Sequence, residues 1–134
     1  MDEFTIAAAR QFAGDTYATD TTGIVLEEAR EGFARCRLDI EPRHHNAHGR
    51  VMGGAIFTLA DYAFAVAAGC GEQPPTVSVT SNIQFISSPK CSRLYAEANC
   101  LKSGRSTCFV DVTVSGDDGS LVAKIEVTGY RLSR

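Results

Sequence analysis

Residues 53–71, GGAIFTLADYAFAVAAGCG, decide the fold. From Gly53 to Gly69 the run is rich in alanine and apolar nearly all round, which predicts a helix that its neighbours bury on every side. Gly69 and Gly71 supply its stop, and Pro74-Pro75 mark the next boundary. Asp61 is the only charged residue between Val51 and Gly71.

On either side of this helix the pattern has a period of two. TGIVLEEAREGFARCRLDI, residues 22–40, reads as two strands around a Glu31-Gly32 turn, with Ala34, Cys36 and Leu38 alternating against Phe33, Arg35 and Arg37. After the helix come TVSVTSNIQFI, RLYAEANCLKS, STCFVDVTVSG and LVAKIEVTGYRL, broken by SSPKCS, SGR and GDDG, with Asp118-Gly119 as a hairpin signal. DEFTIAAARQFA places Phe4, Ala8 and Phe12 on one stripe and predicts a leading helix within residues 1–14. The order is helix, two strands, one buried helix, four strands. It predicts an α+β domain, single over residues 1–134, whose antiparallel sheet curls around the central helix. Such a sheet leaves edge strands and helix ends that invite pairing with a second copy.

Composition narrows the function. A net charge of -3 over 134 residues, with scattered basic positions, argues against a nucleic-acid partner. No apolar run reaches the ~18 residues of a membrane span. The N-terminus lacks the cationic start of a signal peptide. Five cysteines without a CxxC pair predict a reducing, cytoplasmic setting.

Three residue groups are candidates for chemistry. His44, His45 and His48 raise the question of a metal. The zincin pattern needs a glutamate where His45 stands, Pro42, Asn46 and Gly49 favour a turn, and no nearby Cys or Asp completes a ligand set. The reading is no metal, with the histidines on a loop or interface. Asp61 has Phe57, Thr58, Phe64 and Ala65 as helical neighbours, so ionising it is penalised unless a partner compensates. Either it pairs with a strand or a basic residue, or it is held for chemistry. Gly53-Gly54 open the helix where the first N–H groups have no internal acceptor, a place suited to a carbonyl oxygen gaining negative charge; tight helix–sheet packing is the plainer alternative. Gly53 and Asp61 are separated by about 12 Å along the helix, at ~1.5 Å per residue. One carbonyl cannot reach both within a single chain. A catalytic reading therefore predicts a symmetric dimer with two composite sites.

The motif His44-x-Asn46-x-x-Gly49-x-x-Met52-Gly53-Gly54 followed by Leu59-x-Asp61 resembles the hot dog-fold acyl-CoA thioesterases of the phenylacetate-pathway (PaaI-like) type. The likeness continues through TVSVTSNIQFISSP, KSGRS and DDGSLVAKIEVTGYR and spans Thr22 to the C-terminus. It implies a hot dog fold, a long curled antiparallel sheet wrapped around one central helix, paired edge to edge as a homodimer and again as a homotetramer. It implies hydrolysis of an acyl-CoA, with CoA as part of the substrate and no other cofactor. Carried across, Gly53 polarises the thioester carbonyl with Asn46, Asp61 of the second protomer attacks it or activates water, and Ser78 orients the water or the acid. The family usually has histidine where this chain has Met52, and a thioether cannot donate a hydrogen bond. Met52, Gly54 and Phe57 are expected to line the acyl site, Phe57 and Phe64 leaving room for a medium-chain or aromatic group. Lys90 and Arg105 are expected to meet the CoA phosphates. The rival readings are a non-catalytic acyl-CoA-binding hot dog protein and, last, a hydroxyacyl-thioester dehydratase, whose histidine–acid pair has no counterpart close before the helix.

Overall fold

The computed structural model describes residues 1–133. The elements run α1 (Glu3–Gln11), a π-turn (Tyr17–Thr22), β1 (Val25–Arg30), β2 (Phe33–Asp39), a 3-10 turn (Pro42–His44), α2 (Gly53–Gly69), β3 (Thr76–Phe85), β4 (Arg93–Ser103), β5 (Thr107–Gly116) and β6 (Leu121–Arg131). The strands form one six-stranded sheet in the order β1-β2-β4-β5-β6-β3, every neighbouring pair antiparallel. The sheet wraps α2, as the periodicities require: this is the hot dog arrangement.

Alternation sorts the strand residues between two faces. Ala34, Cys36 and Leu38 of β2, Leu94, Ala96 and Ala98 of β4, and Cys108, Val110, Val112 and Val114 of β5 are all buried against α2. The helix answers with Leu59, Ala60, Ala63, Val66 and Ala67, each at 0% exposure. Small residues on both sides let helix and sheet approach closely, and emptying a site such as Leu59 costs about 2–5 kcal/mol. The outer face is a charge ladder, with Arg35 between Glu27 and Glu97, Arg37 on Glu27, and Lys124 on Asp111. Such half-exposed pairs contribute about 0–1 kcal/mol each.

β3 differs from its neighbours. It has β6 on one side only, and nearly every residue along it is exposed, including Val77 and Val79. A bulge between Ser78 and Thr80 breaks its register.

Of the stripe expected on the leading helix, Ala8 is buried and Phe12 packs on the core, but Phe4 does neither. Thr5 and Ala8 face inward while Phe4 is exposed. β1 is an edge strand, and the Thr5 hydroxyl accepts from the Ala29 N–H at 3.0 Å, a bond that Phe4 cannot make. The helix is also shorter than residues 1–14. Asp2 Oδ1 caps the Thr5 N–H at 2.7 Å and the chain leaves the helix at Phe12.

Candidate functional site

The start of α2 is uncapped. Met52 holds the cap position, and its side chain offers no oxygen to the helix. Among the described residues neither the Gly53 nor the Gly54 N–H has an acceptor. The glycines also keep the space in front of these amides small but open. A Cβ on Gly53 would lie 3.1 Å from the Phe85 ring at the end of β3. A cavity of about 280 Å³ opens here, lined by Asn46, Arg50, Gly53, Ile56 and Phe85 among others.

Asn46 reaches this cavity from a tightly built loop. Its Oδ1 accepts from the N–H groups of His48 and Arg50 at 2.9 and 3.1 Å, which leaves the Nδ2 donor without an acceptor among the described residues. His44 anchors the loop. It is 4% exposed, its Nδ1 accepts from the Glu41 N–H at 2.9 Å, and its Nε2 lies 2.7 Å from Thr22 O. Because Nδ1 accepts, the proton sits on Nε2 and is donated to Thr22. His44 is thus an internal pin, not a loop or interface residue, because its ring satisfies two backbone groups that the turn would otherwise bury unpaired. His45 and His48 are exposed. Among the described residues, no three His, Cys, Asp or Glu side chains converge as a metal site would require.

Asp61 lies two turns along α2, half-buried, with no hydrogen bond or ion pair among the described residues. Its carboxyl is pushed above the ordinary 3.8, first by burial and then by the charge of Asp15 in the leading segment. It is therefore not the strand-paired acid that sequence alone left open. It does not line the Asn46–Gly53 cavity, in keeping with the separation along the helix. Ser78 is exposed beside the β3 bulge, its hydroxyl without a partner among the described residues, and it too lies outside that cavity.

The expected acyl-site residues separate. Met52 and Gly54 line a second cavity of about 270 Å³, with Tyr17, Arg43 and Thr58. Phe57 is half-buried, whereas Phe64 is core, its ring 3.1 Å from where a Cβ on Gly129 would stand. The two expected phosphate contacts separate as well. Lys90 lines a groove of about 380 Å³ with His45, His48 and Arg50, and this groove shares Arg50, Val51 and Pro89 with the Asn46–Gly53 cavity. Arg105 occupies the β4–β5 turn, whose Ser103 and Ser106 bond Arg131 near Ala68, at the opposite end of α2.

Arg50 bridges groove and cavity, and sequence reading passed over it. Its guanidinium donates to Ser88 Oγ at 3.2 Å and meets no acid among the described residues, whereas Arg30, Arg35, Arg37, Arg43 and Arg93 are all ion-paired. Its place three residues before Gly53 was the available signal.

Comparison with known proteins adds an independent line. The family description "Thioesterase superfamily" matches residues 48–123. Human acyl-coenzyme A thioesterase 13 is 34% identical over 104 residues, 75% of this chain and 74% of that protein. The Escherichia coli PaaI protein from the phenylacetic acid degradation operon superposes with a TM-score of 0.85 at 25% identity, covering 98% of this chain and 97% of that one. Zebrafish thioesterase superfamily member 2 gives 0.83 at 25% identity, covering 98% and 100%.

Proposed function

This chain belongs to the Thioesterase superfamily and is a thioester hydrolase, and on that premise we propose that it cleaves medium-chain or aromatic acyl-CoA esters to the free acid and CoA. The thioester carbonyl lies in the Asn46–Gly53 cavity, its oxygen accepting from the Gly53 N–H and Asn46 Nδ2. The helix dipole adds to their effect, and each such donor is worth about 3 kcal/mol as the oxygen becomes anionic. A carboxylate is then needed within about 3 Å of the carbonyl carbon or its attacking water.

That carboxylate is Asp61 of a second protomer, whose α2 runs antiparallel to the first. The bare β3 edge, with Val77 and Val79 exposed, supports pairing of the two sheets edge to edge, and dimers pair again into a homotetramer. Asp61 takes a proton from water, or attacks directly, as the new C–O bond forms. The C–S bond then breaks, and the thiolate takes the proton that Asp61 removed from water and leaves as CoA. On direct attack the product is an acyl–Asp61 anhydride, which water hydrolyses, freeing the acid, restoring the carboxylate and supplying the thiolate's proton. Ser78, next to the bulge on the pairing strand, orients the water or the acid. Lys90 and Arg50 meet the CoA phosphates from the carbonyl's own protomer, and Arg105 reaches them from the other. The five free cysteines fit a cytoplasmic setting.

The observation that carries the reading is the uncapped Gly53 amide opening onto the cavity that Asn46 lines, on the helix that also holds a half-buried acid with no partner among the described residues. Thiol release from a panel of aliphatic and aromatic acyl-CoA esters, by wild type and Asp61→Asn, tests it. Equal rates would eliminate the mechanism. A second reading, an acyl-CoA-binding protein without turnover, draws on Met52, which lines the other cavity instead of offering a donor beside Gly53. Tight CoA-ester binding with no thiol release selects it.

A further inference from the structure

A third cavity, of about 230 Å³, lies at the far end of α2, between α1 and the start of β3. Its apolar walls are Phe12, Ala65, Gly69 and Pro75. The polar residues around it are Gln11, Gln73 and Thr76, and each is engaged in hydrogen bonds with other parts of the chain. Gln11 donates to Gly69 O and accepts from the Gly71 N–H. Gln73 donates to Ala67 O and Cys70 O and accepts from Arg131. Thr76 donates to Pro74 O and accepts from Arg131. Among the described residues every donor of Gln73 and Thr76 is engaged and one Gln11 Nε2 N–H is left over, so apolar matter gains most by entering the cavity.

Its position specifies which apolar matter. Ala65 stands one helical turn beyond Asp61 on the same side of α2, both half-buried. The stretch Gln11–Asp15 runs beside this path. Phe12 packs edge-on against Tyr62 with ring centroids 6.4 Å apart, and the charge of Asp15 reaches Asp61. From Asp61 to Gly69 is about 12 Å along the helix, the length of an extended chain of roughly ten carbons. The cavity shared by Met52 and Gly54 is a poorer home for hydrocarbon, being ringed by Arg43, Thr21, Thr22 and Thr58.

We propose that the acyl tail of the substrate runs past Asp61 into the cavity between Phe12 and Ala65, so that the leading segment, which lies before the family-matched residues, sets acyl length. The inference rests on the thioesterase reading for its substrate, and it places the specificity determinants away from Met52 and Gly54.

S-alkyl-CoA thioethers from butyl to dodecyl cannot be hydrolysed and report the cavity without turnover. For wild type, calorimetric affinity rises with each added methylene and levels off near decyl. Ala65→Leu fills the trough, brings the plateau to shorter chains, and lowers the decanoyl-to-butyryl ratio of kcat/KM roughly tenfold, as losing burial of one or two methylenes requires. Phe12→Leu shortens the opposite wall and moves the plateau towards dodecyl. Both are measured at matched thermal stability, so that either variant alone can decide. Affinity independent of chain length, or losses equal for butyryl and decanoyl esters, would overturn the proposal. Length-dependent affinity in a protein that releases no thiol would sink the hydrolase reading alone and leave the cavity assignment supported.

Discussion

The two ends of α2 are treated in opposite ways. At its C-terminal end the last carbonyls are satisfied from elsewhere in the chain: Ala67 O by the Gly32 N–H and Gln73, Ala68 O by Arg131, and Gly69 O by Gln11. At its N-terminal end the first two amides have no acceptor among the described residues, and the cap residue is a methionine. A helix end left unsatisfied next to a cavity is a cost to folding that most helices avoid with a capping oxygen. The difference assigns the closed end to holding the fold and the open end to a ligand that brings its own oxygen.

The comparison is sharpest at Asp61, between the ends. Asp61→Asn is expected to lower kcat at least ~100-fold, the usual contribution of a general base, in a thiol-release assay. Stability should move the other way. The carboxyl is raised in the fold, so its protonated form favours folding, and the ionised form weakens the fold as pH rises past 3.8. The asparagine variant therefore unfolds no earlier than wild type at neutral pH, and a drop in its Tm would contradict the uncompensated charge. The acidic limb of the kcat profile should fall at a pH above that of an ordinary carboxylate, and Asp15→Asn should shift it lower.

At the open end, Asn46→Ala removes a donor and is expected to lower kcat by about 100-fold with a smaller change in KM. A rise in KM alone would make Asn46 a binding residue only. At the closed end, Arg131→Gln removes the guanidinium that serves Ala68 O, Thr76, Gln73 and Ser103. It should cost about 2–3 kcal/mol in denaturant unfolding, while turnover of a butyryl ester, too short to reach that end, holds per folded molecule. Lost turnover at full stability there would break the division between the ends. The smallest effect is expected at the rim. Lys90→Ala should raise KM for CoA esters about three- to fivefold and leave that for N-acetylcysteamine thioesters, which lack phosphate, unchanged.

Much of this was legible in the sequence. The limits of α2 fall at Gly53 and Gly69, as the apolar run and its flanking glycines require, and β2 alternates between buried Ala34, Cys36, Leu38 and their outward neighbours. Asn46 and Gly53 share a cavity, and Asp61 lies outside it, as helical rise dictates. Of the α1 stripe only Phe4 is exposed, and beside it Thr5 faces inward instead, its hydroxyl bonded to a strand 24 residues away.

Sequence by itself determined the elements, their order and the separation of the amides from the acid, because these follow from periodicity and from rise per residue within one segment. Only the tertiary structure decided that His44 is an internal pin, that Lys90 and Arg50 share the rim while Arg105 lies at the other end, and that α1 closes an apolar cavity beyond Asp61. Those facts depend on which strands become neighbours when the sheet curls, with β3 returning to lie beside β6. Contacts between segments far apart in the chain leave no local pattern in either partner.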